Sequence, residues 1–203
     1  MADFNDKRLV ASLKGLPVAC RVAFAAACAQ RLIPSYKSFC AKVPDHACAK
    51  PPLASDALSR LWGDIGGEEM GKSELQELAT VLTAAIPTED EAYEAGEPYA
   101  EDAVAAVAYA FRERVSGSGE DAMWAAQRVY GALDHYVINS TTKPQDKLDE
   151  QAVLNHPLVQ KELLRQSRDL ETLRSGVASG AGVDLLAREL QRTAERESTN
   201  VFS

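Results

Sequence analysis

The sequence predicts an all-α protein: a single multihelical domain of about seven to nine helices, built around two nearly all-apolar central helices. Ala, Leu and Glu dominate the chain, and these residues favour helices. No segment of four or more β-branched or aromatic residues alternates in the way that a strand requires. With 203 residues, 46% of them hydrophobic, the chain is long enough to bury one large core.

The first central helix is predicted where the chain runs from Val18 to Ala29 with Arg21 as its only polar side chain. A stretch that is apolar on every face and rich in Ala is typical of a helix buried all round. Pro17 suits its first turn, where a missing N–H costs nothing. We expect Pro34 to end this helix, because proline blocks the preceding turn.

The second central helix is predicted from Tyr99 through Phe111, after an acidic loop from Pro87 to Pro98. The other helices are drawn by apolar residues that recur at helical spacing. In chain order they cover Asp6 to Leu13, Ser35 to Val43, Leu58 to Ile65, Leu75 to Ile86, Met123 to Val137, Val159 to Leu173 and Val183 to Arg196.

Local signals set the ends of several of these helices. Ser73 is the expected cap of the helix that Pro87 terminates, and Ser118 with Asp121 resembles a capping box. The positions Met123, Ala126, Tyr130, Leu133 and Val137 keep heptad spacing, which predicts packing along a neighbouring helix.

The C-terminal third contains more charge. A polar loop is expected over 139–149, and the helix from Pro157 carries one apolar stripe among many charged residues. Glycines predict a flexible joint near 176–182, and a polar tail follows over 197–203. We interpret residues 1–203 as one domain.

Two other interpretations of the apolar run are a membrane helix and an export signal. It is shorter than the roughly 20 apolar residues that a membrane helix needs. Ala27-Cys28-Ala29 imitates a signal-peptide cleavage site, but Arg21 interrupts the run and Asp3 and Asp6 precede it. We therefore expect a cytoplasmic protein that does not enter the membrane.

Four cysteines lie in the first quarter of the chain, at spacings that match no common zinc motif. Cys20 and Cys28 fall within the first central helix, where a thiol acts as a small hydrophobic side chain. The alternative is a loose metal or redox cluster of Cys40, His46 and Cys48.

The formal net charge is −8, and the segment 89–121 accounts for all of it. This segment holds ten carboxylates against Arg112 and Arg114, so the rest of the chain is neutral. A chain without a basic stripe is a poor candidate for direct nucleic-acid binding. A basic protein partner or a divalent cation would suit the acidic segment.

The candidate ligand-binding residues are the polar side chains beside the predicted core: Arg21, Arg31, Glu101, Asp102, Asp134 and His135. A carboxylate at a helix start also stabilises the helix dipole, so a purely structural role is the simpler alternative. No Glu-x-x-His pair, activated nucleophile or phosphate-binding glycine loop is present in the sequence. We predict no catalytic residues, metal ligands or cofactor.

Arg21 and Arg31 project from a helix that is otherwise apolar, and a buried guanidinium needs a carboxylate or several carbonyl groups. We expect an internal pair with Asp102 or Glu101, which would join the two central helices. An anion site at Arg21 or Arg31 is the functional alternative.

Several short motifs resemble the bacterial YjaG-like family of unknown function. They are Arg8-Leu9, Leu16-Pro17, Ala23-Phe24-Ala25, the run from Cys28 to Arg31, Pro34-Ser35-Tyr36, Phe39-Cys40, Leu61-Trp62, Ile86-Pro87, Tyr99, Asp102-Ala103, the helix from Pro157 to Leu173, and 198–202. The match is strongest over 16–40 and does not extend to 41–52. The resemblance implies a multihelical, cytoplasmic bacterial protein and no known activity.

Two functions follow as hypotheses. The first is a non-enzymatic helical module that binds another macromolecule through the acidic segment 89–121. The second is a protein that binds a metal or a small anion through the six candidate residues. This hypothesis covers both a simple binding protein and an enzyme. Self-association through the C-terminal helices is a third hypothesis that the sequence leaves open.

Overall fold

The computed structural model describes residues 3–49, 51–140 and 149–202, and in that part of the chain it contains ten α-helices and no strand. The helices are α1 (Asp6–Lys14), α2 (Val18–Lys42), α3 (Leu53–Ile65), α4 (Lys72–Ala84), α5 (Glu89–Glu94), α6 (Ala100–Ser116), α7 (Glu120–Ser140), α8 (Glu150–Leu154), α9 (Pro157–Ala178) and α10 (Val183–Ser198). The predicted all-α class is confirmed. Two predicted helices merge into α2, and the short α5 and α8 are additional.

Helix α2 has 25 residues and continues through Pro34, so the prediction that this proline ends the helix is wrong. Pro34 lies on the exposed side of α2, whereas Ile33 and Tyr36 beside it are buried. The turn therefore loses one hydrogen bond where water can replace it, and the buried face holds the helix together.

Helix α2 lies at the centre of the fold, in contact with α3, α6, α7, α9 and α10. Every side chain from Cys20 to Ala29 is buried. Small Ala side chains on α2, and Ala103, Ala106 and Ala110 on α6, allow the two helices to approach closely. The two helices run antiparallel: the start of α2 meets the end of α6 where Arg21 bonds Glu113, and the end of α2 meets the residues before α6 where Lys42 pairs with Glu97.

Two helix starts differ from the sequence predictions. Helix α4 begins with Gly71 as its N-cap and no side-chain cap, so Ser73 is not the cap. Helix α5 forms inside the predicted acidic loop, because the Thr88 hydroxyl accepts from the Glu91 N–H and the Glu91 carboxylate accepts from the Thr88 N–H. This capping box is what starts a helix of only six residues.

The apolar stripes of the later helices lie where the sequence placed them. Met123, Ala126, Leu133 and Val137 of α7 are buried, and Tyr130 stacks on Phe4 with ring centroids 4.9 Å apart. The predicted stripe of α9 is buried throughout, at Val159, Leu163, Leu170 and Leu173. Most of the predicted polar loop 139–149 lies outside the described residues.

The chain reverses between α9 and α10. Gly176 lies in α9, where a Cβ atom would clash with the Leu186 side chain, so glycine allows the two helices to touch. After α10, Val201 is buried and the Phe202 ring stacks on Tyr99, with centroids 4.6 Å apart. The segment after α10 is thereby packed against the start of α6. Flexibility of the 176–182 joint stays a prediction.

Among the described helices, none is both long and apolar enough to cross a membrane.

Candidate functional site

Arg31 lies at the middle of a buried charge network, in which α2 meets α9 and α10. Its Nη1 donates to Glu162 Oε1 at 3.2 Å, its Nε donates to Glu197 Oε2 at 3.1 Å, and its Nη2 donates to Asp169. The side chains of Arg31 and Glu162 have no exposed surface. Burial lowers the pKa of Arg31, but the neighbouring Glu162 and Asp169 raise it above its ordinary value, so the group stays charged.

Two further arginines complete this network. Arg165 Nη1 lies 3.7 Å from Glu162 Oε2, and Arg168 Nη1 donates to Glu197 Oε1 at 2.7 Å. The described network thus has three arginines against three carboxylates. Burial raises the pKa of Glu197, but Arg168 and Arg31 outweigh that effect and hold it below its usual value. The charges balance, which leaves little attraction for an outside anion.

Arg21 forms a separate cluster, near the start of α2. Its Nε donates to Glu113 Oε1 at 2.9 Å, its Nη1 to the Leu16 carbonyl at 2.9 Å and its Nη2 to the Gly117 carbonyl at 2.6 Å. Gly117 has φ +60°, a left-handed conformation that glycine adopts without strain. Glu113 also accepts from the backbone N–H groups of Gly119 and Ala122, at the start of α7. One carboxylate therefore neutralises Arg21 and caps a helix.

The predicted pairing of Arg21 and Arg31 with Asp102 or Glu101 is wrong. Ten residues separate the two arginines, which is roughly 15 Å along a helix. Because α6 runs antiparallel to α2, its last turn and not its first faces Arg21. Arg31 points instead to α9 and α10.

Glu101 and Asp102 pair with Arg128 of α7. Arg128 Nη1 lies 3.4 Å from Glu101 Oε1 and 3.2 Å from Asp102 Oδ1, and the buried Nε of Arg128 has no hydrogen-bond partner. Burial raises the pKa of Asp102 from 3.8 to about 6, although Arg128 opposes the shift. The His135 charge acts on the same carboxylate, and the His135 ring meets Tyr99 edge-on at 6.3 Å.

The six candidate residues therefore divide among three places. Arg21 and Arg31 each lie in a different buried cluster, with their guanidinium groups engaged by internal partners. Asp102 and His135 lie together with Glu101 near the start of α6. Burial raises the pKa of Asp134, and His135 opposes that shift.

The alternative cysteine cluster is a real assembly of side chains. His46 Nδ1 lies 3.0 Å from the Cys48 sulfur, and the Cys40 sulfur lies 4.0 Å from the Cys48 carbonyl oxygen. Tyr36 donates its hydroxyl to that carbonyl at 2.5 Å. In the part of the chain that the structure describes, no group of three or more His, Cys, Asp or Glu side chains has the geometry to hold a metal ion. What the structure brings together here is two thiols and one imidazole.

The acidic segment 89–121 is mostly neutralised by neighbouring groups. Its paired carboxylates are Glu97 with Lys42, Glu101 and Asp102 with Arg128, Glu113 with Arg21, Asp121 with Arg112, and Glu120 with Lys14. Three exposed carboxylates on α5 remain: Glu89, Asp90 and Glu94 have no ion pair within the described ranges. Between them Tyr93 is 66% exposed. Beside them lies a pocket of about 400 Å³, lined by Lys42, Val43, His46, Glu91, Glu94 and Ala95.

A second concave surface separates α1 from α9. This cleft has a volume of about 270 Å³, and its walls include Arg8 and Leu9 from α1 and Leu170 and Arg174 from α9. None of the six candidate residues lines it.

Helices packed around one buried helix, with charged side chains paired inside the core, define this molecule as an all-α single-domain protein. The family model for "Protein of unknown function (DUF416)" matches residues 8–196, and the chain belongs to this family. The resemblance that the sequence motifs predict is confirmed at this level.

The fold is similar to a solved structure described as a DUF416 family protein from Shewanella baltica OS155. The two chains are 21% identical, the TM-score is 0.73, and the match covers 92% of this chain and 93% of the other. At this identity the likeness concerns the fold alone. No curated protein matches the chain.

The sequence reasoning missed the partners of the buried arginines. Glu162 and Asp169 lie on α9 near Leu163 and Leu170 of its apolar stripe. Acidic residues at the same helical spacing as an apolar stripe indicate a buried ion pair, and the sequence of α9 shows this pattern. Glu197 carried no such signal, because it lies in the last turn of α10, where a solvent-exposed position was the natural expectation.

Proposed function

We propose that the chain is a non-enzymatic cytoplasmic module that binds a basic segment of a partner protein, and that the docking surface is α5 with the adjoining pocket. The observation that carries the proposal is Tyr93, 66% exposed among the carboxylates of Glu89, Asp90 and Glu94. Exposed aromatic side chains are common anchors at protein interfaces, and unpaired charge around them steers a partner of opposite sign.

Charge distribution supports this surface over the rest of the acidic segment. The other carboxylates between 89 and 121 cap a helix or pair with a basic side chain, so a partner would have to break an internal contact to reach them. On α5 the three carboxylates are already hydrated and unpaired, so a partner has only water and counter-ions to displace.

The pocket supplies the apolar part of the site. Val43 and Ala95 give it apolar walls, while His46 and Glu94 place polar groups at its edge. A basic side chain that pairs with Glu94 can lay its aliphatic stem along these walls.

The test is the binding of a fluorescent peptide rich in Arg and Leu, measured by anisotropy at low and at physiological salt. Glu89→Lys/Glu94→Lys should abolish binding. A matched control, Glu77→Lys/Glu189→Lys, changes the net charge equally at exposed positions on α4 and α10 and should bind like the wild type.

Tyr93→Ala separates a docking surface from simple attraction between charges. This variant keeps every carboxylate, so a loss of affinity of about tenfold would show that the ring contributes as an anchor. Equal weakening by the α5 pair and the control pair would refute the proposal, since only overall charge would then matter.

A second function is supported by one observation, the buried Arg128 Nε without a hydrogen-bond partner beside Asp102. An orphaned donor next to a carboxylate of raised pKa is a combination found at ligand sites. A small anion bound there would raise the unfolding temperature in the wild type and leave Arg128→Met unchanged. No shift with phosphate, sulfate, acetate or nucleotides would exclude this second function for those ligands.

A further inference from the structure

We propose that Cys40 and Cys48 form a peroxide-sensitive thiol pair, in which Cys40 is oxidised first and Cys48 then closes a disulfide with the help of His46. The two sulfurs belong to the last turn of α2 and to the loop that follows it. This chemistry stands on the geometry of the thiol cluster and does not depend on the proposed docking function.

Accessibility gives the two thiols different roles. Cys40 is partly exposed, whereas Cys48 is fully buried. Burial and then the adjacent Cys40 thiol raise the pKa of Cys48 to about 12, so Cys48 is almost wholly protonated and does not attack peroxide itself. Cys40 is therefore the thiol that meets hydrogen peroxide in solution.

His46 is positioned to deprotonate Cys48. The Cys48 backbone N–H donates to His46 Nδ1 at 3.2 Å, so this nitrogen carries no proton and can accept one from the thiol at 3.0 Å. The other ring nitrogen, Nε2, lies 3.7 Å from a Glu91 carboxylate oxygen, which stabilises the imidazolium that forms. The Cys48 thiol, the His46 imidazole and the Glu91 carboxylate therefore form a chain along which the thiol proton moves at the moment of attack.

The proposed reaction has two balanced steps. In the first, the Cys40 thiol gives its proton to solvent, the sulfur attacks hydrogen peroxide, an S–O bond forms and the O–O bond breaks. The departing hydroxide takes a proton from solvent and leaves as one water, with the sulfenic acid in place. In the second, His46 takes the Cys48 proton, the Cys48 sulfur attacks the Cys40 sulfur, and the S–O bond breaks. The departing hydroxide takes the proton back from His46 as a second water. Peroxide is reduced, and the two thiols are oxidised to one disulfide.

A consequence for α5 follows, and this part rests on the proposed function. His46 lines the α5 pocket and contacts Glu91, so removing the Cys48 thiol from His46 changes one wall of the docking surface. Oxidation is therefore expected to weaken binding of the basic peptide, and dithiothreitol is expected to restore it.

The experiment treats the native chain with hydrogen peroxide, blocks the remaining thiols with N-ethylmaleimide and maps the tryptic peptides by mass spectrometry. Cleavage places Cys40 in 38–42 and Cys48 in 43–60, so the disulfide appears as a linked pair of peptides. Cys20 and Cys28 are fully buried within α2 and serve as internal controls that stay reduced.

Three variants separate the two steps. Cys48→Ser should accumulate a sulfenic acid at Cys40 that dimedone traps. His46→Gln should leave sulfenic acid formation unchanged and slow disulfide closure by at least about tenfold. His156→Asn, which changes a histidine outside the cluster and keeps a side chain that can cap α9, should behave like the wild type.

Two results would overturn the proposal. One is irreversible oxidation of Cys40 with Cys48 still free, because the pair would then fail to close. The other is oxidation of Cys20 and Cys28 over the same time course, which would mean that the reaction occurs in unfolded protein. Peptide binding is measured separately from disulfide formation. Failure of the thiol proposal therefore leaves the proposed docking function intact, and failure of the docking function leaves the thiol proposal intact.

Discussion

Carboxylates gather in two regions of this molecule, and their surroundings differ. Around Arg31, the side chains of Glu162 and Asp169 are buried, that of Glu197 is partly buried, and all three are matched by arginines. On α5, Glu89 and Glu94 are exposed and have no ion pair among the described residues. The comparison teaches that negative charge inside the fold serves structure, while negative charge left on the surface is available to a partner.

The largest expected effect comes from removing the centre of the buried network. Arg31→Met leaves Glu162 and Asp169 without their main cation in a place that water does not reach. We expect the free energy of unfolding to fall by about 3–5 kcal/mol, measured by urea denaturation.

The control for this prediction is Arg60→Met, the same substitution at an ion pair with Glu74 in which both side chains are about half exposed. It should cost less than about 1 kcal/mol. An equal loss of unfolding free energy in Arg31→Met and Arg60→Met would show that the buried ion pairs stabilise the fold no more than an exposed one does.

Removal of Glu113 comes next in size. Glu113→Ala takes the carboxylate from Arg21 and the hydrogen-bond acceptor from the first turn of α7. A loss of about 2–3 kcal/mol is expected in urea denaturation, because both a buried cation and a helix start lose their partner. Glu120→Ala, at an exposed position in the same turn of α7, should have little effect.

Asp102 is intermediate between the buried carboxylates around Arg31 and the exposed carboxylates on α5, since it is largely buried but paired with a partly exposed Arg128. Its pKa is about 6 in the folded protein against 3.8 ordinarily, so between these values the folded state binds more protons. The stability from that proton is present below 3.8 and is lost as the pH rises through about 6.

Asp102→Asn removes this titration and sharpens the comparison. We expect the variant to gain stability relative to the wild type, by about 1–2 kcal/mol, as the pH is raised from about 4 to 6.5. Urea denaturation at several pH values measures it. A constant difference across this range would show that Asp102 titrates normally.

The helices and the buried charge network differ in how well the sequence predicts them. Local patterns predict the helices, because the spacing of the apolar residues in the sequence identifies the buried stripes of α7 and α9. They failed at Pro34, where burial on the opposite face outweighs the proline, and at the Arg31 partners, which are more than a hundred residues away in sequence. Pairing between distant helices depends on their packing, which spacing alone does not encode.

The smallest expected change in stability is at α5, and it is the strictest test of the comparison. Glu89→Lys/Glu94→Lys replaces hydrated carboxylates with hydrated ammonium groups and breaks no ion pair among the described residues. The urea midpoint should therefore stay close to the wild-type value, with only the small cost of a reversed charge in the first turn of α5, while binding of the Arg- and Leu-rich peptide is lost. Circular dichroism and anisotropy on the same samples measure both. A lower urea midpoint would mean that these carboxylates support the fold, and α5 would then join the structural region.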